Sequence, residues 1–574
     1  MMVLSVASSI ATSALRAAQV GMSVTSANIA SADVDGYTAK TVTLTSTVAG
    51  GQGTGVSAAA IAGGVNRFLY ASYLSATSDQ ASADTTADFT DRLQALMGST
   101  TGSDDDSGTS VATLITNLTT AASTLSTAPD SATAKAQIVE AADNVASSLR
   151  TVATGIAALA SEADGTIATD VDTVNTALAS IDKFNDAITS AAARGQSTAD
   201  LEDQRNSALK TVAAYMNIRT TSRADGGVNV YTASGTALVN SAVHSLDYGN
   251  GTVTAGGIDV TSDVTSGDIG ALLTLRGTTL GEARSELDNL ASTLASTVNG
   301  ALADGAASPP TTSLTGANTV AASDAFSATG SVRVALVNAD GTLSTFTDVD
   351  LSACATVNDV VSSLDAIDGI EASLDDDGKL VITAEDDDLG VAIGPLDSAC
   401  GDDDQSFSAY FGLNALFTGT SAADIAVDAD TAADPSRLAT AKLDDSLTAD
   451  SLTATDVTAL KTGSSDIADA LLDALTADTD FASAGRLGAS SSTIADYAAT
   501  VVADYADRAS DAATDQTTKT ALTSSLANSI SSQSGVNLDE ETARLNDYQT
   551  LYSAAAQVVQ AAKAMFDTLL EMVN

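Results

Sequence analysis

Residues that do acid–base, nucleophilic or metal chemistry are few in this chain and poorly spaced. There is one histidine, His244, and there are two cysteines, Cys354 and Cys400. A single imidazole with two distant thiols offers no nitrogen–sulfur zinc set and leaves little scope for a Ser–His or Cys–His dyad. His244 lies in Ala242-Val243-His244-Ser245-Leu246, which reads as a strand, so its expected role is structural. The cysteines stand 46 positions apart, and the sequence leaves open whether they pair or remain buried thiols. Carboxylates are plentiful. Asp375-Asp376-Asp377-Gly378 invites a calcium loop, yet with Gly378 at the sixth EF-hand position the first and twelfth fall on Ser373 and Ala384, where Asp and Glu belong. A hairpin turn accounts for Asp377-Gly378 without a metal. The Asp runs at 386–388 and 402–404 read as solvated loops. Gly50, Gly51, Gly53, Gly55, Gly63 and Gly64 cluster, but a phosphate cradle needs a Lys-Ser/Thr or a helix directly after it, and residues 56–61 read as a strand. Segment 201–209, Leu-Glu-Asp-Gln-Arg-Asn-Ser-Ala-Leu, reads as an exposed charged turn of helix. No catalytic, cofactor or metal site is expected, and the chain is read as a non-enzyme.

What the sequence does build is long apolar-striped helices, and they stand at both ends. Gly535 suits a left-handed helix stop. Asn537 is an N-cap, and Glu540 is placed to close a capping box with it. From there Leu545, Tyr548, Tyr552, Ala555, Val559, Ala562, Phe566, Leu569 and Val573 recur in steps of three and four. A second file, Leu551, Val558, Met565 and Met572, repeats every seven residues beside it. No Gly or Pro interrupts the run, which makes a rod of roughly 50 Å. At the other end Leu4, Ser8, Ala11, Leu15, Ala18, Met22, Thr25 and Ile29 form a second heptad stripe, several of its knobs small. Pairing the two helices would bring the chain's ends together. A stripe this long argues for an assembly surface filled in trans, by copies of the chain or a partner, rather than for a helix closing an ordinary bundle. The ends are then expected to stay loose or chaperone-bound until assembly supplies that partner.

The 574 residues exceed one core and carry a formal charge of −49, which makes nucleic acid and anionic membranes unsuitable partners. Hydrophobic residues at 44% exclude wholesale disorder. The first residues have no basic region or continuous apolar core of a Sec signal peptide, and no uncharged apolar run is long enough to span a bilayer. Helical periodicity fills 68–218, with Leu93, Leu118, Val145 and Leu159 on one pattern and further segments at 167–193 and 201–216. Period-two segments with Gly turns make 219–264 a small β unit, and helix returns from 268 to about 302. Pro309-Pro310 opens an insert at 305–420 with a strand at 331–337, a helix at 357–364 and a hairpin of 370–374 with 379–383. One long helix then runs from 494 to Gly535.

Ala27-Asn28-Ile29-Ala30-Ser31-Ala32-Asp33-Val34-Asp35-Gly36-Tyr37-Thr38 resembles the terminal motif of bacterial flagellar axial proteins (rod, hook and hook-associated), usually Ala-Asn-Ile-Ala-Asn-x-x-Thr-Pro-Gly-Tyr. Ser31 replaces the second Asn and Val34-Asp35 replaces Thr-Pro, while Asp35-Gly36 keeps the turn. The C-terminal Ser534-Gly535-Val536-Asn537-Leu538-Asp539-Glu540-Glu541, Tyr548-Gln549 and Met565-Phe566-Asp567-Thr568-Leu569-Leu570 are similar to the hook-associated branch. So are Gly53-Thr54-Gly55-Val56 with Arg67, segment 201–209, residues 407–414 and Asp434-Pro435-Ser436-Arg437. Tyr70 stands where that family usually has Asp, and no role is carried over for it.

Taken together, these features predict an α+β multidomain chain. Residues 1–34 and 535–574 form a terminal coiled-coil domain; 35–218, 265–304 and 421–534 a helical bundle; 219–264 a small β unit; and 305–420 a β-rich outer insert. Candidate interface residues are Leu4, Ala11, Leu15, Met22, Ile29, Leu545, Tyr548, Tyr552, Val559, Phe566, Leu569 and Val573. The resemblance implies a structural part of the flagellum at the hook–filament junction, needed for filament assembly. It implies a ring of identical subunits touching the hook protein and the second junction protein. It also implies export through the flagellar type III channel without a cleaved signal, with an export chaperone on the C-terminal helix. A hook or rod protein is the alternative within the family. An acidic surface-layer or adhesin protein is the alternative outside it.

Overall fold

Small residues along one helix let another approach closely, and that sets the arrangement of the chain's ends. The computed structural model describes residues 2–49, 52–98 and 110–573. Its helices in chain order are α1 (Met2–Ala30), α2 (Arg67–Met97), α3 (Val111–Thr127), α4 (Ala132–Ala193), α5 (Ala199–Tyr215), α6 (Gly267–Thr274), α7 (Leu280–Leu302), α8 (Val357–Asp365), α9 (Phe407–Phe411), α10 (Ala429–Ala433), α11 (Asp466–Thr476), α12 (Ile494–Ser534) and α13 (Leu538–Val573). The chain divides into two compact units. One comprises Met1–Phe89, Ser161–Gly277 and Ser510–Asn574, the other Thr90–Ala160 and Thr278–Ala509.

In the first unit α1 packs along α13, and Ala11, Ala17, Ala18, Gly21 and Thr25 of α1 are buried. A two-stranded antiparallel hairpin, β1 (Thr41–Ala49) with β2 (Gln52–Ala62), lies against α1. Gly55 takes φ +148° and brings the backbone onto Ser13, whose hydroxyl accepts the Val56 N–H at 3.0 Å. The glycine cluster thus serves a hairpin. Two three-stranded sheets, built from residues 219–239 and 246–259, are held by asparagines of α4. Asn185 donates to Val228 O at 2.8 Å and accepts its N–H at 3.0 Å, and Asn175 does the same for Leu246 at 2.9 and 2.7 Å. Each side-chain amide replaces one missing neighbour strand, so buried backbone groups stay paired. His244 is half-buried, its N–H on Leu238 O at 2.9 Å.

The second unit sets α7 against α11 and α11 against α3. Buried Glu286 of α7 accepts the Arg486 N–H at 2.9 Å and the Tyr505 hydroxyl at 2.8 Å, which compensates a carboxylate otherwise costly to bury. Beyond α7 a sheet has Ser331–Asn338 between Leu343–Asp350 and Leu389–Gly394. A second sheet has Lys379–Ala384 between Ile370–Leu374 and Ser313–Thr319. Between them α8, started by a Thr356–Asp359 capping box, buries Val357, Val360 and Leu364. Cys354 and Cys400 are free, buried thiols in the same apolar core.

Four expectations need correction. α4 is one 62-residue helix, not separate segments; Gly155 and Gly165 lie inside it without breaking it, and Gly155 admits the Leu96 side chain. Leu343–Asp350 is an extra strand before α8, unseen in the sequence because it is mostly polar and half-exposed. Gly535 is not left-handed; its lack of a Cβ instead admits the Ser531 carbonyl. Segment 201–209 is no exposed charged turn: Arg205 is 7% exposed and donates to Gly226 O at 2.8 Å. The Asp375 carboxylate caps its own turn, accepting the N–H groups of Asp377 and Lys379 at 3.0 and 2.7 Å, with Gly378 at φ +77°. Segment 103–108, Ser-Asp-Asp-Asp-Ser-Gly, which the sequence marks as a loop between helices, lies outside the described residues.

Candidate assembly site

Where α1 ends, one amide gathers the chain's two ends. Asn28, fully buried, donates from Nδ2 to Lys40 O at 2.9 Å and to Glu541 Oε2 at 3.0 Å. Its Oδ1 accepts the Tyr37 hydroxyl at 2.9 Å and the Lys40 N–H at 3.0 Å. Both donors and both acceptor positions of the side chain are therefore used. Glu541, 3% exposed, is held from its other oxygen by Arg544 at 3.1 Å. Glu540 turns outward to Arg544 at 2.6 Å, while Asn537 caps α13 through the N–H of Asp539 at 3.0 Å. A buried Asn in a helix seam fixes register: three of its bonds hold the turn after α1, and sliding by a turn would break the fourth, leaving the buried Glu541 oxygen without it.

The turn after α1 then locks onto α5. Gly36 at φ +77° closes it, and Asp35 reaches Lys210 at 3.0 Å. Thr38 gives its N–H and hydroxyl to Asp203 at 3.0 and 2.9 Å. Buried Lys40 pairs with the same carboxylate and sits 4.3 Å from the Tyr37 ring centroid. Burial, followed by the Asp200, Asp203 and Glu541 carboxylates, raises the Tyr37 phenol above its ordinary range, so it stays a donor. Tyr70 gives its hydroxyl to Asn206 O at 2.5 Å, and burial pushes its ionisation well up. Nothing here is a nucleophile beside a base. The site's chemistry is attachment.

The interface residues read from sequence divide by depth. Ala11 is buried, with Leu15, Met22 and Ile29 half-buried. Leu545, Tyr548, Tyr552, Val559 and Phe566 are half-buried on α13, and Leu569 is 43% exposed. The Leu4 and Val573 side chains lie outside the described residues. Gly21 brings the helices together: a Cβ there would stand 2.5 Å from the Tyr548 ring. The first file on α13 thus meets α1 of its own chain. The second file does not: Leu551, Val558, Met565 and Met572 are 45%, 48%, 53% and 79% exposed. Sequence reasoning missed Asn28, Lys40, Asp203 and Glu541 as a linked set. The available signal was an Asn at the end of an otherwise small and apolar stripe.

Comparison with known proteins bears on this construction. A family described as flagella basal body rod protein matches residues 9–38, and one described as flagellar basal body rod FlgEFG protein C-terminal matches residues 528–572. The paired ends are thus the segments that resemble flagellar axial proteins. The family described as flagellar hook-associated protein FlgK helical domain matches residues 101–314. The chain is 26% identical over 590 residues to flagellar hook-associated protein 1 of Salmonella typhimurium, with 98% of this chain and 99% of the relative covered. With the protein of that name from Escherichia coli it is 25% identical over 594 residues, covering 98% of each. The flagellar hook junction protein FlgK from Burkholderia pseudomallei shares the fold at a TM-score of 0.51 and 16% identity, over 80% of this chain and 99% of that one. Over nearly its whole length this chain is therefore similar to flagellar hook-associated protein 1.

Proposed function

We propose that this chain is a structural subunit of the bacterial flagellum that joins hook to filament and is required for filament assembly. The observation that carries the reading is the second file of α13. It is an apolar heptad row left exposed on a helix whose first file its own chain already covers. Such a row is stable in water only when other subunits cover it. Copies of the chain form a ring, with the hook protein on one side and the second junction protein on the other. The helix pair carrying Leu4, Ala11, Leu15, Met22, Ile29, Leu545, Tyr548, Tyr552, Val559, Phe566, Leu569 and Val573 is the part that enters the assembly.

The four-part division proposed from sequence goes with this reading: a terminal coiled coil, a helical bundle, a small β unit and an outer β-rich insert. Export runs through the flagellar type III channel without a cleaved signal, and an export chaperone covers α13 beforehand. No helix described is long and apolar enough to cross a membrane. The role is mechanical, without catalysis. Immunogold labelling of isolated flagella tests it. Label confined to the hook–filament boundary is the expected result, and label along the hook or rod would overturn it.

A further inference from the structure

We infer that Phe68 of one copy enters a cleft on the next copy, the knob and the cleft lying on opposite faces of α2. The inference rests on the proposed ring of identical subunits and names a lateral contact within it. Phe68 is 87% exposed, more than any other large apolar side chain described. Isolated, an exposed aromatic of this size costs solubility and contributes nothing to its own fold. Two and five residues on, Tyr70 and Tyr73 line a cavity of about 390 Å³ together with half-buried Ile530. Their rings stand 6.1 Å apart and tilted by 47°, a face an incoming ring can pack against. The cleft is open, and beside the rings, Val34 and Val65 it carries the charged chains of Asp33, Asp35 and Lys210.

Helix geometry decides who fills it. At roughly 100° per residue, Tyr70 and Tyr73 lie about 200° and 140° around α2 from Phe68. The knob therefore points away from the cleft of its own copy, and only a neighbour can supply one to the other. A contact between two different patches is head to tail, repeats from copy to copy, and closes into a ring when the rotation permits.

Charge agrees with this pairing. A chain of net charge −49 repels its own copies, so contact needs opposite signs placed locally. Arg67 stands exposed beside Phe68, and exposed Asp33 and Asp35 lie at the cleft. Asp35 is already shared with Lys210, which leaves Asp33 to face Arg67.

The test places Ser72→Cys, exposed on the Phe68 face one turn on, in the same chain as Val34→Cys, 59% exposed at the cleft. Isolated flagella are treated with a short bismaleimide. The expected result is a ladder of dimers and higher multimers that neither single variant gives. Labelled chain present at the junction but recovered only as monomer overturns this contact and leaves the function standing. Chain absent from the junction overturns both. As a second readout, Phe68→Ala should lower incorporation about tenfold or more with an unchanged melting temperature, while Phe68→Tyr preserves it. Full incorporation of Phe68→Ala would also sink the contact.

Discussion

Asn28 and Glu541 meet at 3.0 Å across 513 positions of sequence, both buried, and through this bond the first helix of the chain is registered against the last. Because Asn28 also holds Tyr37 and both backbone groups of Lys40, helix register and the following turn are set by one side chain.

Replacing Asn28 by Ala strands the Lys40 N–H and one oxygen of Glu541 in a buried site. The expected cost is about 1–3 kcal/mol, equivalent to a roughly 5- to 150-fold faster opening. Hydrogen exchange at the Lys40 amide should rise by that factor, with exchange in α7 and α11 unchanged.

Gly21 faces the Tyr548 ring with no room for a methyl group. Gly21→Val should part α1 from α13 at a cost of about 1–3 kcal/mol. Limited proteolysis should then cut within 538–573 before any other region, whereas the parent chain is cut there no sooner than elsewhere.

Asp170 is 9% exposed, its Oδ2 has no hydrogen-bond partner, and burial, followed by the nearby Asp268 charge, raises its carboxyl to about 6. A carboxyl that holds its proton more tightly folded than unfolded, where it titrates near about 3.9, weakens the fold above that raised value. The penalty fades as pH falls through 6. Asp170→Asn should therefore melt higher than the parent at pH 8, by about 1–3 kcal/mol for the unpaired group, and the difference should shrink by pH 4.5.

Cys354 and Cys400 are buried, and burial pushes the Cys400 thiol up to about 11. Neither should react with a thiol reagent in the native chain, and two equivalents should be taken up at once in denaturant.

Sequence showed the parts whose signal is local. The heptad stripes, the Asn537 cap, the Asp35-Gly36 turn and the hairpin around Gly378 each rest on residues a few positions apart. The Asn28 node did not show, because its partners Lys40 and Glu541 converge only after folding. Asp203 and Arg205 looked like helix-surface charges, since nothing nearby announced that Thr38 and Gly226 would cover them. Thr41–Ala49 alternates but is largely Thr, Ser and Val with no apolar face to mark a core, so strand β1 has only a weak local signal. Both files of α13 were legible; which one its own chain would cover was not, because that depends on how closely the small residues of α1 let it approach.

Assembly at the junction requires that other subunits close the outer row of α13. Val558→Asp with Met565→Asp places two charges on that row and touches nothing buried. Counting junction-labelled flagella in a strain carrying only this variant is the direct measurement. A purified variant that melts like the parent, yet leaves hooks bare of label and of filament, is the expected result. Filaments of normal number and length, seated on labelled junctions, would contradict it.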